Sequence, residues 1–264
     1  MIIGVDHILI AVTSVEQAIE VYRRLGFQVM AGGEHPHMGT YNALAPLSDG
    51  AYLELIGVRD RNKAERFPNS RQVVRALARE NRLATFVLAS NDLASDVQAL
   101  RARGLAIGDP LPGERLRPDG QKVMWRTAHF EDPNLPFLIQ DLTPHHVRVP
   151  EPTQGLGQHA WLSQVQVLAQ NVADASRVWK DVLGVIPPQD DEFKLERCVI
   201  RLAPNHDKPT GIDALSLATG DFDNAAQMLR AAGVSRNARD NRIELDSHAT
   251  AGAELALVKA TDYN

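Results

Sequence analysis

The chain has 264 residues, of which 44% are hydrophobic and 23% are charged, a balance typical of a folded globular protein and not of a disordered one. Its formal net charge of -5 offers no basic surface of the kind that nucleic-acid-binding proteins carry, so we expect no DNA or RNA partner. A single cysteine, Cys198, excludes an intramolecular disulfide and is typical of a protein in a reducing compartment.

The first predicted element is a strand in the apolar segment MIIGVDHILIAV. This segment lacks the basic region and the cleavage site of a secretion signal, and it is too short to span a bilayer. We therefore expect a cytoplasmic protein that has no membrane partner. Alternate residues of a strand face opposite sides, so His7 is expected to share a face with Val5 and Leu9, and Asp6 to face the other way with Ile8.

Four amphipathic helices are predicted along the chain, each preceded by a strand and followed by a glycine. They are SVEQAIEVYRRLGF, DLASDVQALRARGL, NVADASRVWKDVLGV and DFDNAAQMLRAAGV. Each begins with an N-cap candidate, namely Ser14, Asp92, Asn171 and Asp221. The pattern indicates a repeated strand and helix unit.

Three more strands are predicted after the first helix, over residues 27–32, 39–47 and 51–58. After the second helix we expect the same order, with strands near 105–108, 121–130 and 135–142. The third unit is shorter. The predicted fold class is therefore α+β, with about four βαβββ modules of which the third is compressed.

Residues rich in proline, glycine and polar side chains separate the second unit from the third, in TPHHVRVPEPTQGLGQ. This composition predicts a boundary between two halves. We expect a first pair of modules over residues 1–145, a connector over 146–158 and a second pair over 159–264.

The order of DHI in the first strand, LGF after the first helix and YLELI in the fourth strand resembles the vicinal oxygen chelate superfamily, which includes glyoxalases, bleomycin-resistance proteins and dioxygenases. The segment GGEHPHMGTYNAL and the later LPFLIQD are most similar to the bacterial glyoxalase-like domain family. The resemblance implies curled mixed sheets, in which paired modules form cup-shaped half-barrels. It also implies a divalent metal ion (Zn, Ni, Mn or Fe) held by His7 of the first strand and Glu54 of the fourth.

The alternation of the fourth strand independently places Glu54 on one face with Tyr52 and Ile56. An ionised carboxylate among apolar side chains must be paired, protonated or bound to a metal. A metal ion would satisfy it. A buried hydrogen-bonded pair of His7 and Glu54 would also satisfy it, with Asp6 nearby or with Thr40 and Asn42 as partners, and no metal would then be needed.

Further metal ligands are harder to find. The second module places Thr85 opposite His7, and an alignment of the last strands places Gln140, or else Asp141, opposite Glu54. Threonine and glutamine are poor ligands for a transition metal.

Two histidines in the loop of the first module, His35 and His37, could add imidazole ligands, because the proline between them stiffens the loop. On a later strand, alternation places Trp125 on one face and Arg126 on the other, and either could face the cup. Arg126, Arg117 and Arg148 are candidates to bind an anionic group of a substrate.

The first strands of the third and fourth units, LSQVQVLA and IDALSLAT, contain no histidine, and Glu254 alone cannot hold iron. A ring-cleaving dioxygenase of the usual type is therefore disfavoured.

Two functions remain open from the sequence. The first is a metal-dependent lyase or isomerase that acts on a small oxygen-bearing metabolite, with Glu54 as the catalytic residue. The alternative is a metal-free protein that binds or sequesters a small molecule. We expect a monomer or a homodimer in either case.

Overall fold

The computed structural model describes residues 1–117, 119–187, 189 and 191–260. The elements of the first half are β1 (Ile2–Ala11), α1 (Val15–Arg24), β2 (Met30–His35), β3 (Thr40–Pro46), β4 (Tyr52–Val58), α2 (Arg61–Ala64), α3 (Pro68–Ala76), β5 (Leu83–Ser90), α4 (Leu93–Ala102), β6 (Leu111–Leu116), β7 (Lys122–Ala128) and β8 (Phe137–Asp141).

The elements that follow are α5 (His145–Arg148), α6 (Leu156–His159), β9 (Ala160–Ala169), α7 (Val172–Leu183), β10 (Glu192–Leu195), β11 (Cys198–Pro204), β12 (Gly211–Thr219), α8 (Phe222–Ala231), β13 (Ser235–Arg239), β14 (Arg242–Leu245), a 3₁₀ helix (Ser247–Thr250) and β15 (Leu255–Lys259). Among the residues described, no helix is both long and apolar enough to cross a membrane.

Two mixed sheets contain these strands, in the orders β2-β3-β4-β1-β5-β8-β7-β6 and β10-β11-β9-β12-β15-β14-β13. In each sheet the first strands of two modules pair antiparallel at the centre, and each of them pairs parallel with the last strand of its own module. This arrangement confirms the predicted α+β fold of βαβββ modules. In the part of the third module that the structure describes, only two strands of the sheet follow the helix, which accounts for its shorter sequence.

The first sheet curls until its two edge strands meet. The guanidinium of Arg115 in β6 donates a hydrogen bond to the carbonyl of Gly32 in β2. Because β6 and β2 are the outermost strands, this bond joins the ends of the sheet and leaves a concave inner face.

Side-chain caps begin three of the four predicted helices. Ser14, Asp92 and Asn171 each accept a hydrogen bond from a backbone N–H in the first turn of the helix that follows. Asp221 precedes α8 without such a bond. All four helices form where the apolar spacing predicted them.

One residue of β1 breaks the alternation that the sequence predicted. Val5 pairs with Leu88 and His7 with Val87, so Asp6 is an extra residue that forms a bulge. The bulge brings Asp6 beside His7, whereas regular alternation would have placed it on the opposite face.

Four α-helices, α2, α3, α5 and α6, were not predicted, and α3 covers the concave face of the first sheet. Its Val73 and Ala76 pack against Leu9 and Ile56 inside the cup. The helix begins with proline and its N-cap position is Phe67, which makes no side-chain cap, so the usual polar start signal is missing.

The first strand after α4 also lies elsewhere than predicted. It is β6, not residues 105–108, of which only Ile107 forms an isolated bridge.

The two halves share one hydrophobic core on the outer faces of their sheets. The ring of Phe86 in β5 stacks on that of Trp179 in α7, with 5.9 Å between the ring centroids. Tyr22 of α1 donates a hydrogen bond of 3.1 Å to the carbonyl of Thr250 in the other half. Most residues of α5 and α6 belong to the predicted connector. The division of the chain at residues 145 and 158 stays a prediction.

We predict that Trp179→Ala destabilises both halves together, because the fully buried indole contacts both. The expected loss is about 3–5 kcal/mol of unfolding free energy, measured by urea denaturation. Ile186→Ala is the control, because Ile186 is 92% exposed and should change the stability by less than about 0.5 kcal/mol. If the first half keeps its stability in Trp179→Ala, the shared core is not a single unit.

Candidate functional site

A cavity of about 50 Å³ lies on the concave face of the first sheet, beneath α3. Most of the residues proposed for a site from the sequence gather in its wall. They are His7, His35, Thr40, Asn42, Glu54, Trp125 and Arg148. The wall also contains residues that the sequence did not single out for the site, among them Tyr52, Ser70, Arg115 and Phe137.

His7 lies between two carboxylates at the bottom of the cup. Its Nδ1 is 2.5 Å from Asp6 Oδ1, and its Nε2 is 3.2 Å from Glu54 Oε2. The ring of Tyr52 stacks on the imidazole with 4.5 Å between the centroids. Burial alone would lower the pKa of His7, but the hydrogen bonds to the two carboxylates outweigh it and raise the pKa. Both contacts therefore favour the protonated form of the imidazole.

Glu54 is buried and ionised at the wall of the cavity. Burial would raise its pKa, yet the contacts with His7 and with Asn42 lower it to about 2. Asn42 Nδ2 donates a hydrogen bond of 2.6 Å to Glu54 Oε1. The buried Oδ1 of Asn42 has no hydrogen-bond donor among the described residues, and a Cβ added to Gly32 would clash with it.

Arg148, from the predicted connector, contacts Asp6, which is the carboxylate partner of His7. Its guanidinium donates hydrogen bonds to Asp6 Oδ2 at 2.7 Å, to Asp141 Oδ1 at 2.5 Å and to the hydroxyl of Tyr52 at 2.8 Å. Asp6 therefore bridges His7 and Arg148. Despite burial, these two cations hold the pKa of Asp6 well below its usual range.

Three residues near Arg148 have ligand atoms close enough together to hold a metal ion. Ligand atoms of Asp6, Asp141 and His145 lie within 4.8 Å of one another, the one such group among the residues that the structure describes. Both carboxylates already bind the Arg148 guanidinium, which supplies the positive charge that a metal would bring. This group does not include Glu54.

The second module does not complete a metal site at His7 and Glu54. Counted back from the start of the helix that follows, Thr85 of β5 occupies the position of His7 in β1. Its hydroxyl donates a hydrogen bond of 3.3 Å to the backbone of Phe86 and does not line the cavity.

The expected alignment of Gln140 with Glu54 is wrong. Leu9 of β1 pairs with Glu54, and the corresponding residue of β5, Val87, pairs with Phe137. The position of Glu54 is thus occupied by Phe137, which has no ligand atom. The side chain of Gln140 instead bonds the backbone of the loop before α4 and lies outside the cavity.

The second sheet also lacks imidazole and carboxylate groups at the four corresponding positions. By the same count and register, these are Gln164, Arg201, Ala214 and Ala256. Glu254 precedes β15 and lies two residues before Ala256.

The remaining predicted residues divide between the cavity and the surface. His35 lies 3.0 Å from Thr40 Oγ1 through its Nδ1, and burial lowers its pKa, so it stays neutral. His37 is exposed and does not reach the cavity. Of the two residues of β7 that could have faced the cup, Trp125 does so, and Arg126 is exposed and faces away from it.

Sequence reasoning missed Arg115. This side chain is only 6% exposed and lines the cavity, and it donates a hydrogen bond of 2.8 Å to the carbonyl of Arg148 in addition to its bond with Gly32. The alternation of β6 could have indicated it, but the strand was expected about six residues earlier, so its pattern was not considered.

We predict that Arg148→Ala lowers the free energy of unfolding by about 3–5 kcal/mol, because Asp6 would stay buried with only His7 as its partner and Asp141 would lose its guanidinium partner. The measurement is urea denaturation at neutral pH. Arg126→Ala is the matched control and should change stability by less than about 0.5 kcal/mol, because this arginine is exposed. Equal losses in both variants would contradict the proposed support of Asp6.

We also predict that the stabilisation by Glu54 depends on pH in two directions. The pKa of Glu54 falls from 4.5 to about 2 on folding, so its contribution is complete above pH 4.5 and is lost as the pH falls toward 2. The pKa of His7 rises above 6.5, so its contribution is complete below pH 6.5 and is lost as the pH rises through the raised pKa.

The difference in unfolding free energy between wild type and Glu54→Gln should therefore be greatest between pH 4.5 and 6.5. Urea denaturation in a series of buffers measures it. A difference that is independent of pH would show that the pair is not ionised in the folded protein.

Comparisons with known proteins agree with this fold. The chain is similar in structure to a hypothetical protein from Staphylococcus aureus, with 16% identity, a TM-score of 0.74 and coverage of 98% of this chain and 100% of the other. A mutant of 4-hydroxymandelate synthase from Streptomyces coelicolor shares 12% identity over 98% of this chain and 93% of its own, with a TM-score of 0.64.

A fusion of a xylose isomerase-like TIM barrel with 4-hydroxyphenylpyruvate dioxygenase aligns with all of this chain over 50% of its own length, at 12% identity and a TM-score of 0.60. At such identities these similarities concern the fold alone. No curated protein matches the sequence.

The sequence model of a family described as the glyoxalase-like domain matches residues 5–183, which include both modules of the first sheet and the whole site around His7 and Glu54. With the βαβββ modules and the two curled sheets of the vicinal oxygen chelate type, this match shows that the chain belongs to the glyoxalase-like domain family.

Proposed function

We propose that this protein is a lyase- or isomerase-type enzyme that moves a proton on a small oxygen-bearing metabolite without a metal ion. The observation that carries the proposal is the ionised, buried Glu54 at the cavity wall, paired with the His7 imidazolium. Titratable groups that are buried in the wall of a cavity are candidates for a catalytic role.

The metal ion implied by the family resemblance does not fit the residues present. His7 and Glu54 would be its protein ligands, and the corresponding residues of the second module are Thr85 and Phe137. The guanidinium of Arg115 also lines this cavity. Its positive charge would repel a divalent ion bound there. In the proposed reaction, His7 and Glu54 therefore act without a metal ion.

The pair can carry out a balanced proton transfer. Glu54 takes a proton from the carbon next to a substrate carbonyl, and His7 gives its Nε2 proton to the carbonyl oxygen. Glu54 then returns a proton to His7 Nε2 across the 3.2 Å that separates them. The product is the enol isomer, and the reverse sequence can place the proton on the neighbouring carbon. No electrons are gained or lost by the protein.

Two arginines support this step. Asp6 keeps a proton on His7 Nδ1 and holds the ring in one orientation, and Arg148 holds Asp6. Arg115 lines the cavity and would stabilise the negative oxygen that develops in the transition state.

The alternative is a metal-free protein that binds a small molecule and does no chemistry. It is favoured by the saturation of the polar groups, since both ring nitrogens of His7 and both oxygens of Glu54 already have partners in the protein. Sequestration of a drug-sized molecule in this cavity is disfavoured, because such molecules occupy pockets of about 300–1,000 Å³ and this cavity measures about 50 Å³.

Deuterium exchange tests the proposal without knowledge of the full reaction. EDTA-treated protein is incubated in D₂O with 2-oxo acids and 2-hydroxy ketones, and loss of the α-proton signal is followed by NMR. We expect exchange with at least one substrate, reduced by about 10²–10⁴-fold in Glu54→Gln.

Arg126→Ala is the control, because Arg126 lies outside the cavity, and it should exchange like wild type. Binding of a panel compound without exchange would favour the binding protein. Exchange that appears only after addition of a divalent metal would contradict the metal-free mechanism.

A further inference from the structure

Arg115 is a buried cation without an anionic partner of its own. Its hydrogen bonds go to two backbone carbonyls, those of Gly32 and Arg148. Among the described residues no carboxylate forms an ion pair with it, and Glu54 is already bonded to His7 and Asn42. A buried charge normally has a counter-ion, and a guanidinium binds carboxylates with two parallel hydrogen bonds.

A second cavity, of about 120 Å³, adjoins the first. The two share part of their walls, formed by His35, Met38, Asn69, Trp125 and Thr127. The outer cavity is lined largely by apolar side chains, among them Phe67, Pro68, Leu111 and Pro112. Leu111 is 49% exposed, so this cavity lies at the surface, and the polar inner cavity lies behind it.

Four titratable side chains line the outer cavity, namely His35, His37, Glu114 and His129, and Glu114 and His129 bring no unpaired charge to it. Glu114 is paired with Lys122 at 2.7 Å. Burial lowers the pKa of His129 to about 4, so this imidazole is neutral at physiological pH. A ligand that passes from the surface to Arg115 therefore meets mostly apolar surface first and the guanidinium at the end.

From this arrangement we infer that the cup binds an amphipathic carboxylic acid, with its carboxylate at Arg115 in the inner cavity and its apolar chain in the outer cavity. This inference rests on the proposed function in taking the same cup as the substrate site. It adds the class of substrate, which the pair of His7 and Glu54 does not specify.

Titration calorimetry with a series of unsubstituted acids tests the inference. Affinity should rise from acetate to butyrate to hexanoate by up to about fourfold for each methylene that enters the apolar cavity. Hexan-1-ol, which has the same chain without the charge, should bind roughly tenfold to a hundredfold more weakly than hexanoate. Equal affinities for hexanoate and hexan-1-ol, or for hexanoate and acetate, would overturn the inference.

Matched variants separate the two ends of the ligand. Arg115→Met should lose roughly tenfold or more of the affinity for hexanoate. Arg117→Met, which removes an arginine two residues away that does not line the cavity, should bind like wild type. Leu111→Asn should weaken the binding of hexanoate but not of acetate. Arg115→Lys keeps the charge and should restore part of the affinity, which guards against a folding defect in Arg115→Met.

The outcomes for the inference and for the proposed function are distinct. Hexanoate that binds to wild type and to Glu54→Gln, with no deuterium exchange in any panel compound, would support the inference and reject the enzyme. Exchange of neutral hydroxy ketones without any binding of carboxylates would support the enzyme and reject the inference.

Discussion

The carboxylate of Asp6 is shared between the imidazole of His7 and the guanidinium of Arg148, and the rest of the site depends on this contact. It exists because a bulge in β1 moves Asp6 out of the regular alternation and because α5 brings Arg148 back to the first sheet. With one ring nitrogen of His7 fixed by Asp6, the other is directed at Glu54. The geometry of the cavity thus follows from one extra residue in a strand and one short helix after the last strand of the sheet.

The charged groups of the site contact one another within the protein. His7 contacts the carboxylates of Asp6 and Glu54, and Arg148 contacts those of Asp6 and Asp141. Arg115 lies in the cavity wall and forms no ion pair among the described residues. At the positions that correspond to His7 and Glu54, the second module has Thr85 and Phe137, and neither residue supplies an imidazole or a carboxylate. The proposed chemistry and the proposed class of substrate follow from the same charges, because an ionised pair can move protons and an unpaired guanidinium attracts an anion.

The sequence predicted the parts of this structure that have local or periodic signals. The four helices, the modules and the positions of His7 and Glu54 follow from apolar spacing, caps and short motifs. The bulge at Asp6 and the burial of Arg148 could not be predicted, because they depend on pairing with β5 and on contacts between residues more than a hundred positions apart. The sequence did leave open a buried hydrogen-bonded pair of His7 and Glu54 with Asp6 and Asn42 nearby, and these four side chains are in contact.

The most direct test of this account is the protonation of His7, measured by ¹⁵N NMR of the imidazole at neutral pH with and without added zinc. The account predicts that both ring nitrogens carry a proton, one bonded to Asp6 and one to Glu54, and that stoichiometric zinc leaves both signals unchanged. His7→Gln identifies the signals. A His7 with one protonated nitrogen, whose other nitrogen shifts on binding one equivalent of zinc, would contradict the account and return the site to the metal-dependent chemistry of the superfamily.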